Sequence, residues 1–290
     1  MTVVENAVSV AAEQRRAQKA MWGAAAAAWD RWFSWYVTNF QPVFDWCAEA
    51  INAGPGMRVL DIACGAGQPA LTLSTRVGAS GHVDAVDMSP EMIAAAERRA
   101  NSLGSTNLQF HEMDAESLAF GDAIFDGVTC VCGLMFCPDP SAALAEIQRV
   151  LKPGGRFAVV VWDEPAKNQF SSVIGRAAAE VLKAPPPAPN APQAFRFERA
   201  QLADLMREAA AVDLTIDSRP MFFDYENVEN YLEITTDLAG ALKAKLATLT
   251  HDDLERFKTL VRANAAPYVS GDRLRLLATP VCVTGRRGPR

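Results

Sequence analysis

The chain has 290 residues, half of them hydrophobic and 21% charged, with a formal net charge of −6. That is material for one large domain or two small ones around an ordinary core, and the acidic balance argues against a basic nucleic-acid-binding face. No run of eighteen apolar residues is present to span a membrane. The first twenty residues mix Glu5, Glu13, Arg15, Arg16 and Lys19 with alanines instead of a signal-peptide block, so a cytoplasmic location is expected.

Helix formers dominate residues 11–40, predicting one or two helices that carry Trp22, Trp29, Trp32, Phe33 and Tyr36 near one face. A second helix over 43–52 is stopped by Gly54-Pro55-Gly56. From there apolar runs alternate with helical patterns. Strands are predicted at 58–62, 82–86, 108–111, the FDGVTCVC run and 156–162, and the intervening helices open at Gln68-Pro69, Ser89-Pro90 and Asp139-Pro140. A helix over 170–183 leads to the proline-rich APPPAPNAP, read as a stiff surface connection. Another helix follows, then a strand over 212–216 that can extend to Tyr225, two helical segments over 228–249 and 252–265, and a last strand near 279–284. The expected organisation is an N-terminal helical segment (1–56), a core (57–225), an inserted helical segment (226–275) and the final strand and tail (276–290). Alternating strands and helices imply an α/β, doubly wound, Rossmann-like sheet.

The organising stretch is VLDIACGAGQPA, residues 59–70. An apolar strand carrying Asp61 turns at Gly65 and Gly67 into a helix, a bend that needs glycine and brings backbone close to a ligand. Asp87 ends the next apolar run, twenty residues beyond Gly67, where a carboxylate can accept both hydroxyls of a ribose. Ala70 stands at the third position of a G-x-G-x-x-G/A pattern, so spacing alone leaves NAD open. Asp61 argues against it: a carboxylate repels a pyrophosphate and attracts an ammonium.

Together these residues resemble motif I of the class I S-adenosylmethionine-dependent methyltransferases. AALAEIQRVLKPGGRFAVVVW resembles that family's helix, turn and fifth strand, most closely in the ubiquinone/menaquinone C-methyltransferase-like group. The resemblance implies a seven-stranded sheet with its last strand antiparallel, and S-adenosylmethionine as cofactor. The cofactor residues it implies are Asp61, Ala63, Gly65, Gly67, Gln68, Asp87, Met88, Asp114, Ala115 and Cys130. Among these, Asp114 would accept the adenine amino group. The A-x-x-W-D segment at Trp29-Asp30 resembles the aromatic-Asp pair that ends the first helix in quinone-methyltransferase-like relatives.

No catalytic base stands out. Asp163, Glu164 and Tyr36 are candidates, with His111, Tyr231 and His251 behind them, and methyl transfer needs a base only if the acceptor arrives protonated. The aromatic N-terminal segment and the insertion, with Tyr231, Leu232 and Leu238, are expected to cap a small lipophilic or aromatic acceptor; the plainer alternatives are packing on the core or a homodimer contact. The six cysteines form no C-x-x-C and have no histidine at zinc spacing, so no metal is expected. Cys130 and Cys132, two apart on one strand, leave an arsenite or thiol methyltransferase as one alternative. A non-catalytic cofactor-binding protein and an NAD-dependent oxidoreductase are the others.

Overall fold

The computed structural model describes residues 3–183 and 191–289, with side chains from residue 10; most of the proline-rich run lies outside the described residues. The elements in chain order are α1 (Val3–Arg31), α2 (Phe33–Ala50), β1 (Arg58–Ile62), α3 (Ala70–Val77), β2 (His82–Asp87), α4 (Pro90–Ser102), β3 (Leu108–Glu112), β4 (Phe125–Val131), α5 (Pro140–Val150), β5 (Leu151–Trp162), α6 (Gln169–Leu182), α7 (Arg199–Glu208), β6 (Ala211–Ser218), β7 (Met221–Tyr225), α8 (Val228–Leu238), α9 (Gly240–Leu246), α10 (His251–Ala265), β8 (Val269–Ser270), β9 (Arg273–Ala278) and β10 (Pro280–Arg287).

Seven strands form the main sheet in the order β3-β2-β1-β4-β5-β10-β6. The first five neighbours pair in parallel, and β10 runs antiparallel to both β5 and β6. This is the expected seven-stranded sheet with its last strand reversed. The order turns back on itself between β1 and β4, and ligands of such sheets bind at that switch point, beyond the carboxyl ends of the strands. One face is covered by α2, α3 and α6, whose Phe40, Phe44, Leu73, Val173 and Ala177 join Val59, Val83 and Val160 of the sheet. The other packs Leu144 and Ile147 of α5 and Leu202 and Met206 of α7 on Leu60, Val128 and Val159. Parallel strands buried on both faces read as near-continuous apolar runs, which made them legible in sequence.

Two boundaries differ from expectation. The first helical break falls at Trp32, and Pro42 lies inside α2. Burial of Phe40, Val43 and Phe44 around that proline offsets the hydrogen bond it cannot make. The strand expected to extend from 212 to Tyr225 stops at Ser218; β7 begins at Met221, beyond Arg219-Pro220, and joins a separate three-stranded sheet in the order β7-β9-β8. The inserted segment is thus three helices together with β8 and the start of β9, and β9 leads through Thr279 directly into β10. The outer edge of β7 is met by α2: Asn39 Oδ1 accepts the Asp224 amide at 2.7 Å, and Trp35 Nε1 donates to the Asp224 carbonyl at 2.9 Å. Among the described residues no helix is long and apolar enough to cross a membrane.

Candidate active site at the carboxyl edge of the sheet

The loop after β1 is held by its own amides. Ala63, Gly65 and Gly67 have φ of 57°, 52° and 117°. Cys64 N–H donates to the Val86 carbonyl, Gly67 N–H to the Cys64 carbonyl, and Gly65 N–H to Asp87 Oδ2 at 3.0 Å. With those N–H groups taken, the turn offers little to a phosphate, which needs free amides at a helix start. A Cβ on Gly65 would meet nothing within 4 Å, so the loop lies open on that side. One on Gly67 would touch Leu71 and Ala96 at 3.4–3.6 Å, so Gly67 serves the packing of α3 against α4 and not a ligand's space.

Asp61 is fully buried, accepting the Ala70 amide at 3.0 Å and the Thr129 hydroxyl at 2.7 Å. Burial pushes its carboxyl up to about 8, against those two hydrogen bonds. Asp87 accepts Gly65 N–H and Ser89 N–H and is likewise raised by burial. A carboxylate has about four acceptor positions, so each retains capacity for a ligand's donors. Asp114 follows β3; its Oδ1 accepts the Glu116 amide at 3.0 Å, and its Oδ2 lies 3.2 Å from Arg15 Nε on α1.

The remaining expected cofactor residues fall into two groups. Met88 and Ala115 are half-buried beside Asp87 and Asp114. Gln68 turns its side-chain carbonyl back onto α3, accepting from the Thr72 hydroxyl at 2.8 Å. Ala63 and Cys130 form a floor under the β4 exit: a Cβ on Gly133 would lie 2.5 Å from Ala63 Cβ and 3.0 Å from Cys130 Sγ. Cys130 is buried, its thiol pushed up to about 12, and the Cys132 thiol is raised further, burial being the main cause for both. Thiols so held are poor nucleophiles and metal ligands, which weighs against a thiophilic substrate.

The five N-terminal aromatics do not share one face. Trp22, Trp29 and Tyr36, seven apart, form a continuous run of rings: Phe136 of the β4 exit meets Trp22 at 5.0 Å, Trp22 meets Trp29 at 6.3 Å, and Trp29 meets Tyr36 at 5.1 Å. The run continues through Phe40 to Trp162 at the end of β5. Trp32 turns away and donates to Asp237 of α8 at 3.0 Å. Phe33 packs with Ala66, Leu71 and Ala95 under the Arg99 guanidinium. The Trp29 Nε1 and Gln18 Oε1 atoms are buried without a hydrogen-bond partner.

Four further candidates are engaged elsewhere. Tyr231 is fully buried, its hydroxyl donating to the Phe170 carbonyl at 2.7 Å and accepting from the Ile174 amide at 3.1 Å, so it fastens the insertion to α6 and does not face a substrate. Burial works to raise the Asp163 carboxyl, but Ser218, the Glu164 amide and Lys167 outweigh it and hold it below the ordinary value. Asp163 is therefore an ionised tie between the ends of β5 and β6, and Glu164 is exposed and paired with Lys167. His111 bonds Asp84 at 2.9 Å, which Arg58 also grips. Burial, then Cys132 and Asp61, raise the Tyr36 phenol well above the ordinary value. Thr129, Gln18 and Arg15 were missed in the sequence. A polar residue in an apolar strand and the 15, 18, 22, 29 helical spacing were the available signals.

Sheet order, glycine loop and paired strand-end carboxylates define a Rossmann-like methyltransferase fold. Residues 53–184 match the model of the methyltransferase domain family. The matched residues, less than half of this chain, are what is similar to a methyltransferase domain. An uncharacterised protein of Mycobacterium tuberculosis is 42% identical over 113 residues, 39% of this chain and 40% of that protein. The 2-phytyl-1,4-naphtoquinone methyltransferase of a Nostoc species is 38% identical over 120 residues, 41% and 52% of the two chains. The chain thus spans about half, or less, of the length of these relatives. The crystal structure of the YcgJ protein of Bacillus subtilis shares the fold, with a TM-score of 0.57 and 20% identity over 86% of this chain and all of that one. The group these residues fit is S-adenosylmethionine. Acidic acceptors suit its ammonium, ribose diol and adenine amino group, and the open side of Gly65 gives it room.

Proposed function

We propose that the chain transfers the methyl group of S-adenosylmethionine to a flat, apolar small molecule. The carrying observation is the run of rings from Phe136 through Trp22, Trp29, Tyr36 and Phe40 to Trp162, which borders the site from the β4 exit to the β5 end. Planar rings bury a planar acceptor with favourable edge and face contacts. The relative named as a naphthoquinone methyltransferase supports an acceptor of that shape. In this reading Asp61 holds the ammonium, Asp87 the ribose hydroxyls and Asp114 the adenine amino group.

When bound, the cofactor supplies a methyl group on a positively charged sulfur. The chain aligns the acceptor behind it, and the aromatic border excludes water, terms that dominate in-line transfers. Tyr36, within the run of rings, donates a hydrogen bond to an oxygen of the acceptor. Asp163 and Glu164, engaged with Ser218 and Lys167, act as ties and not as the base in this reading. The intact acidic set and open loop favour this over a non-catalytic binding protein.

Methyl-labelled cofactor with a panel of naphthols, quinols and aliphatic amines tests the reading. Label is expected in the planar acceptors and not in the amines, with turnover reduced about tenfold in Tyr36→Phe while S-adenosylhomocysteine affinity stays within about twofold. Labelling of the amines alone, or of nothing while the cofactor product binds, would overturn it.

A further inference from the structure

Helix α1 crosses the start of α4, where a side chain on Gly23 would press 2.7 Å from a Glu91 carboxylate oxygen. Its carboxyl end is pinned, since Arg31 and the Trp32 indole both bond Asp237 of the insertion, which Lys243 also pairs. Its other half reaches the β3 exit through charge. Arg15 Nε donates to Glu116 Oε2 at 2.9 Å and lies 3.2 Å from Asp114 Oδ2, and Lys19 pairs with Glu112. The Glu116 side chain is only 2% exposed, and its other oxygen accepts the Asp139 amide at 2.9 Å. Arg15 thus neutralises a buried carboxylate and, with the same guanidinium, restrains its half-exposed neighbour Asp114.

We propose that Arg15 is a positioning residue for the adenine of the cofactor: it fixes the rotamer of Asp114 and fastens α1 over the base. This rests on the reading that Asp114 accepts the adenine amino group. A short carboxylate side chain on a strand exit can turn toward water, and a turned carboxylate neither accepts the amino group nor repels a base carrying oxygen in its place. An arginine fork bridging Asp114 and Glu116 removes that freedom at both oxygens' expense of mobility. The clasp also makes cofactor release depend on breaking charged contacts, which salt weakens.

Calorimetry with S-adenosylhomocysteine and S-inosylhomocysteine, in which oxygen replaces the amino group, tests this in the full chain. The wild type is expected to prefer the adenosyl compound by about tenfold or more, because a site built for a donor rejects an acceptor. Asp114→Ala abolishes the preference. Arg15→Ala reduces it several-fold and lowers the salt dependence of dissociation. Because Arg15→Ala leaves Glu116 buried without its cation, the Arg15→Ala, Glu116→Gln double variant is run beside it and is expected to lose the preference equally. If Asp114→Ala leaves the preference intact, the adenine reading fails. If Asp114→Ala abolishes it but both Arg15 variants keep or increase it, that reading stands and the role of Arg15 is overturned.

Discussion

The Asp87 carboxylate accepts the Gly65 amide at 3.0 Å, tying the end of β2 to the turn that follows β1. One side chain therefore shapes the glycine loop and, in the proposed reading, presents its remaining lone pairs to the cofactor. Asp87→Ala is expected to weaken S-adenosylhomocysteine binding by about 1–3 kcal/mol, and to cost about 1–3 kcal/mol of stability because the Gly65 and Ser89 amides lose their acceptor. Calorimetry and thermal melting read the two effects separately. Unchanged affinity would remove Asp87 from the site.

The two glycines are expected to fail differently. Gly67→Ala adds a methyl group at φ 117° against Leu71 and Ala96, and should lower the melting temperature, by about 1–3 kcal/mol in stability. Gly65→Ala places its methyl group in open space at φ 52°, a left-handed strain of about 1–2 kcal/mol, and should weaken cofactor binding more than its own melting shift implies. A Gly65→Ala protein that binds as tightly as the wild type would put the ligand on another side of the loop.

If Asp61 holds the cofactor's ammonium, as proposed, binding is sensitive to pH. Burial pushes its carboxyl up to about 8 in the folded chain from an ordinary value of 3.8, so between those values the folded state holds a proton that the unfolded state has lost. Its contribution to stability is fully present below the unfolded value and falls as pH rises toward 8. An ammonium beside it favours the carboxylate, so cofactor-product binding should release a proton and tighten from pH 6 to 8. Calorimetry in buffers of different ionisation heat counts that proton. Asp61→Asn should abolish its release, and equal release from both proteins would refute the assignment.

Tyr231→Phe removes a hydroxyl that both donates to Phe170 and accepts from Ile174. The expected result is a stability loss of about 1–3 kcal/mol with the acceptor KM unchanged. A raised KM at unchanged stability would return Tyr231 to the acceptor pocket.

Much of the core was legible because its signals are local: apolar runs, proline and serine at helix starts, a glycine turn, and an acid at each of three strand ends. What stayed hidden was decided by partners distant in sequence. Nothing near Tyr231 announces that its hydroxyl will meet α6, and nothing near Asp163 announces Ser218. Trp32 and Phe33 fit a helical face as well as Trp29 does, yet Asp237 and Ala66 claim them. The β7 strand was read as an extension of β6 because the break at Arg219-Pro220 separates two apolar runs that a single twisted strand could also have contained. The heptad spacing of Trp22, Trp29 and Tyr36 was readable and would have singled out the ring run.

The meeting of α2 with the outer edge of β7 bears on how the chain behaves when crowded. An exposed strand edge is a template on which a second chain can add its own strand, and β7 carries the exposed Phe222. Asn39 and Trp35 occupy the amide and carbonyl of Asp224, the groups an incoming strand would seek. These two side chains act as a stopper on the small sheet, and their loss would first be felt as poor solubility of a protein whose site is intact.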